Sequence, residues 1–296
     1  MELIYRKLQN LGGSLYVSLP KAWTNKYKLK EKSPVALELR DDGTLTVIPT
    51  LKQPTEVLKE KTVLEADQYV IWELLKKSLA GLTNIVITSD KEINKPLRKN
   101  IRKYVNRLPN TEIIEESKHR ITIQNFGYKE IPTKKLIQRL LYLVANMFED
   151  LRNDSLDDLY DNFEDLRKFY FILVIHIRTY LRTGIYISSN SDFTPLEAMD
   201  YRMFCEKIEE IGEILGKIGL SEKILGFYVE VERYFNQVMN AFLQKNDKLA
   251  YYTWIGKDQI FDRANELLLS LNPIDQENVK NLMRIAQNCK DMAALI

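Results

Sequence analysis

The chain has 296 residues, of which 45% are hydrophobic and 28% charged, with a formal net charge of +2. This is enough to bury real cores in two or three domains. No stretch approaches the 18 or so uninterrupted apolar residues of a membrane helix, and the first residues lack the apolar run of a secretory signal, so a cytoplasmic location is expected. Two cysteines, Cys205 and Cys289, and two histidines, His119 and His176, are too few for a disulfide framework, a zinc site or a histidine-rich metal centre. The cysteines and His176 read as core residues.

Charge is unevenly placed. Residues 1–52 hold nine Lys or Arg against five acids, leaving the remainder of the chain slightly acidic. In this front segment Leu15, Val17 and Leu19 alternate with Ser14, Tyr16 and Ser18, and Val35, Leu37 and Leu39 alternate likewise. Asp42-Gly43 then turns into Leu45 and Val47, a hairpin signal. Pro20 suits the first turn of a short helix over 21–27. So few apolar side chains make a thin core, which points to obligate dimerisation.

Beyond a linker bracketed by Pro49 and Pro54, residues 63–128 read as a small α/β connector. Helices are predicted near 66–81 and 92–107, with strands at 84–88, 111–115 and 120–124. From Pro132 onward the period is helical, with breaks at 152–155, 187–194, 219–221, 244–247 and 272–275. Six helices result, in two sets of three, over 129–219 and 220–296. In the helix from Pro195 to Ile218, Tyr201, Phe204, Ile208, Ile211, Leu215 and Ile218 form an a/d-like seam. Ala198, Cys205, Gly212 and Gly219 run beside it at seven-residue steps, small enough for a neighbouring backbone to approach.

The front segment, with Arg6-Lys7, GGSLYVSLPKAW at 12–23 and DDGTLTVIP at 41–49, resembles the AbrB/SpoVT swapped-hairpin domain. The resemblance implies an intertwined homodimer over residues 1–52 that binds DNA through basic side chains, here Arg6, Lys7, Lys21, Lys26, Lys28 and Arg40. Thr24 and Asn25 stand where relatives often carry arginines. Residues 133–219, with TPLEAMDYR at 194–202 and EKIEEIGEILGKIG at 206–219, resemble PhoU, a family of two tandem three-helix bundles associated with phosphate uptake. The family's Glu-x-x-x-Asp metal motif maps to Glu209 and Glu213 in the first repeat, implying a divalent metal or iron there. The second repeat has Lys290 and Ala294 instead.

The expectation is therefore an α+β, mainly α protein: a swapped-hairpin domain, an α/β connector and two PhoU-like bundles. Its implied function is that of a DNA-binding transcriptional regulator of phosphate uptake. The alternative is a regulator that does not bind DNA and acts on a phosphate transporter or signalling partner. No catalytic set is expected: Gly12-Gly13 lacks the GxxxxGK pattern of a phosphate-binding loop, and paired carboxylates cannot be singled out among the many helix acids. Seven basic residues over 91–107 face away from an apolar stripe of Ile93, Leu97, Ile101 and Val105, read as a solvated helix face or a second phosphate-contacting one.

Overall fold

The computed structural model describes residues 4–39, 43–49, 61–127, 131–183 and 193–296. The chain is α+β and mainly α, and divides into two compact units, Met1–Leu58 and Lys59–Ile296.

The first unit opens with a hairpin of β1 (Gln9–Leu11) and β2 (Ser14–Tyr16), in register Gln9 to Tyr16 and Leu11 to Ser14. Its two turn residues, Gly12 and Gly13, have φ of +60° and +85°. Two consecutive positive φ values make the primed turn whose twist matches paired strands, and glycine adopts them without a Cβ clash. This hairpin was not among the expected elements. Next comes α1 (Lys21–Lys26), for which Pro20 is the N-cap rather than a first-turn residue. The unit closes with β3 (Val35–Leu39) and β4 (Leu45–Pro49), antiparallel with Val35 opposite Pro49 and Leu39 opposite Leu45, as the Asp-Gly signal predicts.

The second unit begins with a four-stranded sheet in the order β5-β6-β8-β7. These strands are β5 (Lys61–Glu65), β6 (Asn84–Thr88), β7 (Thr111–Glu116) and β8 (Arg120–Asn125). Only β5 and β6 run parallel, through a crossover carrying α2 (Val70–Leu79); α3 (Lys95–Val105) links β6 to β7. Ile85, Ile87, Ile121 and Ile123 on the sheet pack with Val70, Leu74, Ile101 and Val105 of the helices. The strand at 61–65 is an addition to the sequence reading. Only Leu64 of its five residues is buried, so its alternation is too weak to mark it.

Among the described residues six long helices follow: α4 (Thr133–Arg152), α5 (Leu156–Thr183), α6 (Pro195–Leu215), α7 (Glu222–Gln244), α8 (Asp247–Leu268) and α9 (Pro273–Ala293). Their starts are sequence-encoded. Thr194 and Glu197 form a reciprocal capping box ahead of α6, and the Asn272 side chain accepts from the Ile274 and Asp275 amides at the start of α9. Helices α4 to α6 pack as one set and α7 to α9 as another. One apolar core nevertheless runs through both. At its centre Phe148 of α4 lies 5.6 Å from the Tyr228 ring and 5.4 Å from the Phe235 ring, both on α7. The Tyr228 hydroxyl donates to the Phe148 carbonyl at 2.6 Å.

The seam of α6 is buried as predicted at Phe204, Ile208, Ile211 and Leu215. The small residue Gly212 serves a different neighbour from the one expected. A Cβ built on it would stand 2.2 Å from Leu166 Cδ2, so it admits a leucine side chain of α5 rather than a backbone.

Candidate nucleic-acid interface

Helix α1 positions three of the expected DNA-contacting lysines. Lys21 opens it, Lys26 closes it and Lys28 follows, all exposed. The helix ends in a Schellman motif: the Leu29 amide donates to the Thr24 carbonyl at 2.9 Å and the Lys28 amide to that of Asn25 at 3.1 Å. Lys28 therefore occupies the left-handed position normally given to glycine, with φ of 53°. The motif fixes where the chain leaves the helix and projects Lys28 from a defined backbone.

The lysines do not form one helical stripe. Lys21 and Lys26 are five residues apart, so they are rotated by about 140° around the axis at 3.6 residues per turn. Lys26 lies with its ammonium 5.6 Å from the Tyr27 ring centroid, and Tyr27 in turn packs at 5.3 Å against Trp23. Trp23 is partly buried, in keeping with a packing role. Arg6 and Lys7 lie exposed in the segment before β1. Arg40 lies outside the described residues. Lys30 and Lys32, not singled out from the sequence, are also exposed just beyond α1. Their signal was the same local excess of positive charge.

Among the described residues of this unit none is buried. Leu8 is 63% exposed, Leu15 68%, Leu37 62% and Leu39 86%. Among the described residues of this unit these alternating apolar side chains stay exposed, an apolar surface of the kind that marks an interaction site.

Residues 10–55 match the family model described as antidote-toxin recognition MazE, bacterial antitoxin. The MazE match covers the β1–β2 hairpin from Asn10 onward, α1 and the β3–β4 hairpin, and so Lys21, Lys26, Lys28 and Arg40. Arg6 and Lys7 precede it. No curated protein and no solved structure matches the chain.

The two expected metal residues, Glu209 and Glu213, both lie on α6. Glu209 is half-buried with its Oε1 4.0 Å from Arg167 Nε, and burial pushes its pKa above the ordinary carboxylate value. Glu213 accepts from Lys217 Nζ at 2.8 Å, a hydrogen bond that lowers its pKa. Each thus faces a cation, and no group of three His, Cys, Asp or Glu that could hold a metal ion occurs among the described residues. Cys205 and Cys289 are fully buried, which drives both thiol pKa values up and keeps them protonated. Burial likewise lowers the pKa of His176 on α5. On α3, Arg98 and Arg102 both contact Glu116, at 3.5 and 2.8 Å, whereas Lys95, Lys99 and Lys103 are exposed. No helix among the described residues is long and apolar enough to cross a membrane.

Proposed function

We propose that the chain is a homodimeric DNA-binding transcriptional regulator, in which the first unit dimerises and holds DNA while the helical unit senses a signal or a partner. The observation that carries this reading is the first unit's lack of any buried residue among those described, beside exposed lysines on a capped helix. A second copy would cover the apolar strands, each side chain contributing about 1.5–3 kcal/mol when fully buried. It would also present a second set of lysines to the same duplex. The MazE match over 10–55 supports the reading. Phosphate uptake as the regulated process rests on the PhoU resemblance of residues 133–219.

The test is salt-dependent binding of the full chain to its own upstream DNA and to a scrambled duplex, beside a Lys21→Ala/Lys26→Ala/Lys28→Ala variant. Six lysines per dimer, if all neutralise phosphates, steepen the log K against log salt slope by about 5. Selective binding that loses this slope in the variant is expected; weak binding equal on both duplexes and unchanged in the variant would overturn the reading.

A second reading is favoured by an exposed aromatic row on α8, where Tyr251 is 57%, Tyr252 64% and Trp254 44% exposed. In it the first unit only dimerises, and the helical unit docks on a transporter or signalling protein. It corresponds to the second outcome of the same experiment.

A further inference from the structure

Within the second unit a cavity of about 510 Å³ lies between the connector and the helices, inside the size range of small-molecule sites. Its connector wall is the turn over 106–112. Asn110 holds a left-handed φ of 48° there, donating to the Gly127 carbonyl at 2.8 Å and accepting from the Phe126 amide at 2.9 Å. Asn125 braces the same turn through the Pro109 carbonyl at 3.2 Å and Thr111 Oγ1 at 2.8 Å. The wall is thus set before any ligand arrives. Leu108 and Ile172, both nearly buried, add apolar surface to the lining, as does Phe169.

The helical wall supplies two cations. The Arg139 guanidinium lies over the Phe169 ring, 5.6 Å from its centroid. It is 3.8 Å from Asp165 Oδ2, and Lys168 Nζ is 3.6 Å from Asp165 Oδ1. Both separations exceed the 2.7–2.9 Å or so of a charge-assisted hydrogen bond. Among the described residues neither cation makes a hydrogen bond. Arg139 thus lies against its ring, half-exposed, with no protein acceptor hydrogen-bonded to its planar fork of donors among the described residues, beside a lysine, and one carboxylate serves both. Surface pairs of this kind are weak, so an incoming anion displaces little. The other lining carboxylate, Glu112, lies on the connector wall, where it would accept from an N–H or O–H.

We propose that this cavity binds a small organic anion, a carboxylate or phosphate that engages Arg139 and Lys168, on an apolar body packed against Phe169, with a donor group toward Glu112. The site stands independently of the DNA reading. Only its use as the regulator's sensor rests on that reading.

Fluorescence titration of the full chain with 6-hydroxy-2-naphthoate, 1-naphthyl phosphate and neutral 2-naphthol tests it, with no DNA present. At least one anion is expected to bind saturably at one per chain, with Arg139→Gln and Lys168→Gln each weakening it about 10-fold. Lys257→Gln is the control, because Lys257 makes a similar ring contact, 4.6 Å from the Phe261 centroid, outside the cavity. Which anion binds distinguishes a carboxylate from a phosphate ligand. No saturation by either anion below about 5 mM, equal affinity for the neutral probe, or equal binding by the Arg139 and Lys168 variants would each overturn the proposal.

Discussion

Replacing Lys28 separates two roles that the structure joins in one residue. Its φ of 53° is a left-handed conformation that costs an L-residue about 1–2 kcal/mol. Glycine adopts it freely but loses about 0.5–1 kcal/mol through its more flexible unfolded chain. Lys28→Gly is therefore expected to stabilise the first unit by about 0.5–1 kcal/mol per chain, and Lys28→Ala to leave it nearly unchanged. Both remove the charge. If each copy of Lys28 neutralises one phosphate, either variant lowers the salt slope of DNA binding by about 1.8 per dimer. Trp23 on α1 reports unfolding of this unit once the other two tryptophans, Trp72 and Trp254, at 60% and 44% exposure, are replaced by phenylalanine. Urea midpoints are then compared at fixed protein concentration, because a dimer's stability depends on it. Equal midpoints for the Gly and Ala variants would refute the Schellman assignment. An unchanged salt slope in both would remove Lys28 from the interface.

Two predictions concern the helical unit. Gly212→Ala places a methyl 2.2 Å from Leu166 Cδ2 and is expected to destabilise by about 1–3 kcal/mol. Gly216→Ala, whose nearest neighbours are two carbonyls at 3.8 Å, is the tolerated control, and equal melting temperatures for the pair would contradict the packing. For Glu209, burial outweighs Arg167 and raises the pKa in the folded chain. The folded state then holds its proton more tightly, so stability falls as pH rises from the unfolded value of about 4.3 through the raised folded value. Glu209→Gln should accordingly melt higher than wild type at pH 7, with the gap closing below about pH 4; a gap that persists or widens in acid would show that the Arg167 contact dominates.

Local chemistry was readable wherever its partner is also local. Asp42-Gly43 announced the β3–β4 hairpin, the break at 187–194 before Pro195 the start of α6, and the spacing from Phe204 to Leu215 its buried face. The β1–β2 hairpin went unread although Gly12-Gly13 is a recognised turn signal, because three-residue strands give alternation no room to show. What stayed hidden depends on distant segments. Strand β5 is defined by its parallel pairing with β6, and no local pattern specifies a crossover. Arg139 and Lys168 come from different helices and meet the connector turn only in the fold. The heptad of small residues was visible, but that Leu166 fills the space beside Gly212 is a fact of packing.

The two units also differ in where their apolar patterns are resolved. In the helical unit the seams close on one another, and Phe148, Tyr228 and Phe235 tie two sets of three helices into one core. A ligand at the connector wall would press on α4 and α5, which belong to that core, so its binding energy could bias the whole helical unit between arrangements. In the first unit the same kind of pattern finds nothing to close on among the described residues, and Leu37 and Leu39 remain in water. Burial periodicity is thus satisfied within the helical unit and left open among the described residues of the first, where the proposed second copy would close it. Any change in the helical unit that altered how two copies approach would change the spacing of their lysines. If the proposed dimer holds one duplex through both sets of lysines, that spacing would decide whether both reach phosphates, and the proposed anion would act on DNA binding through it.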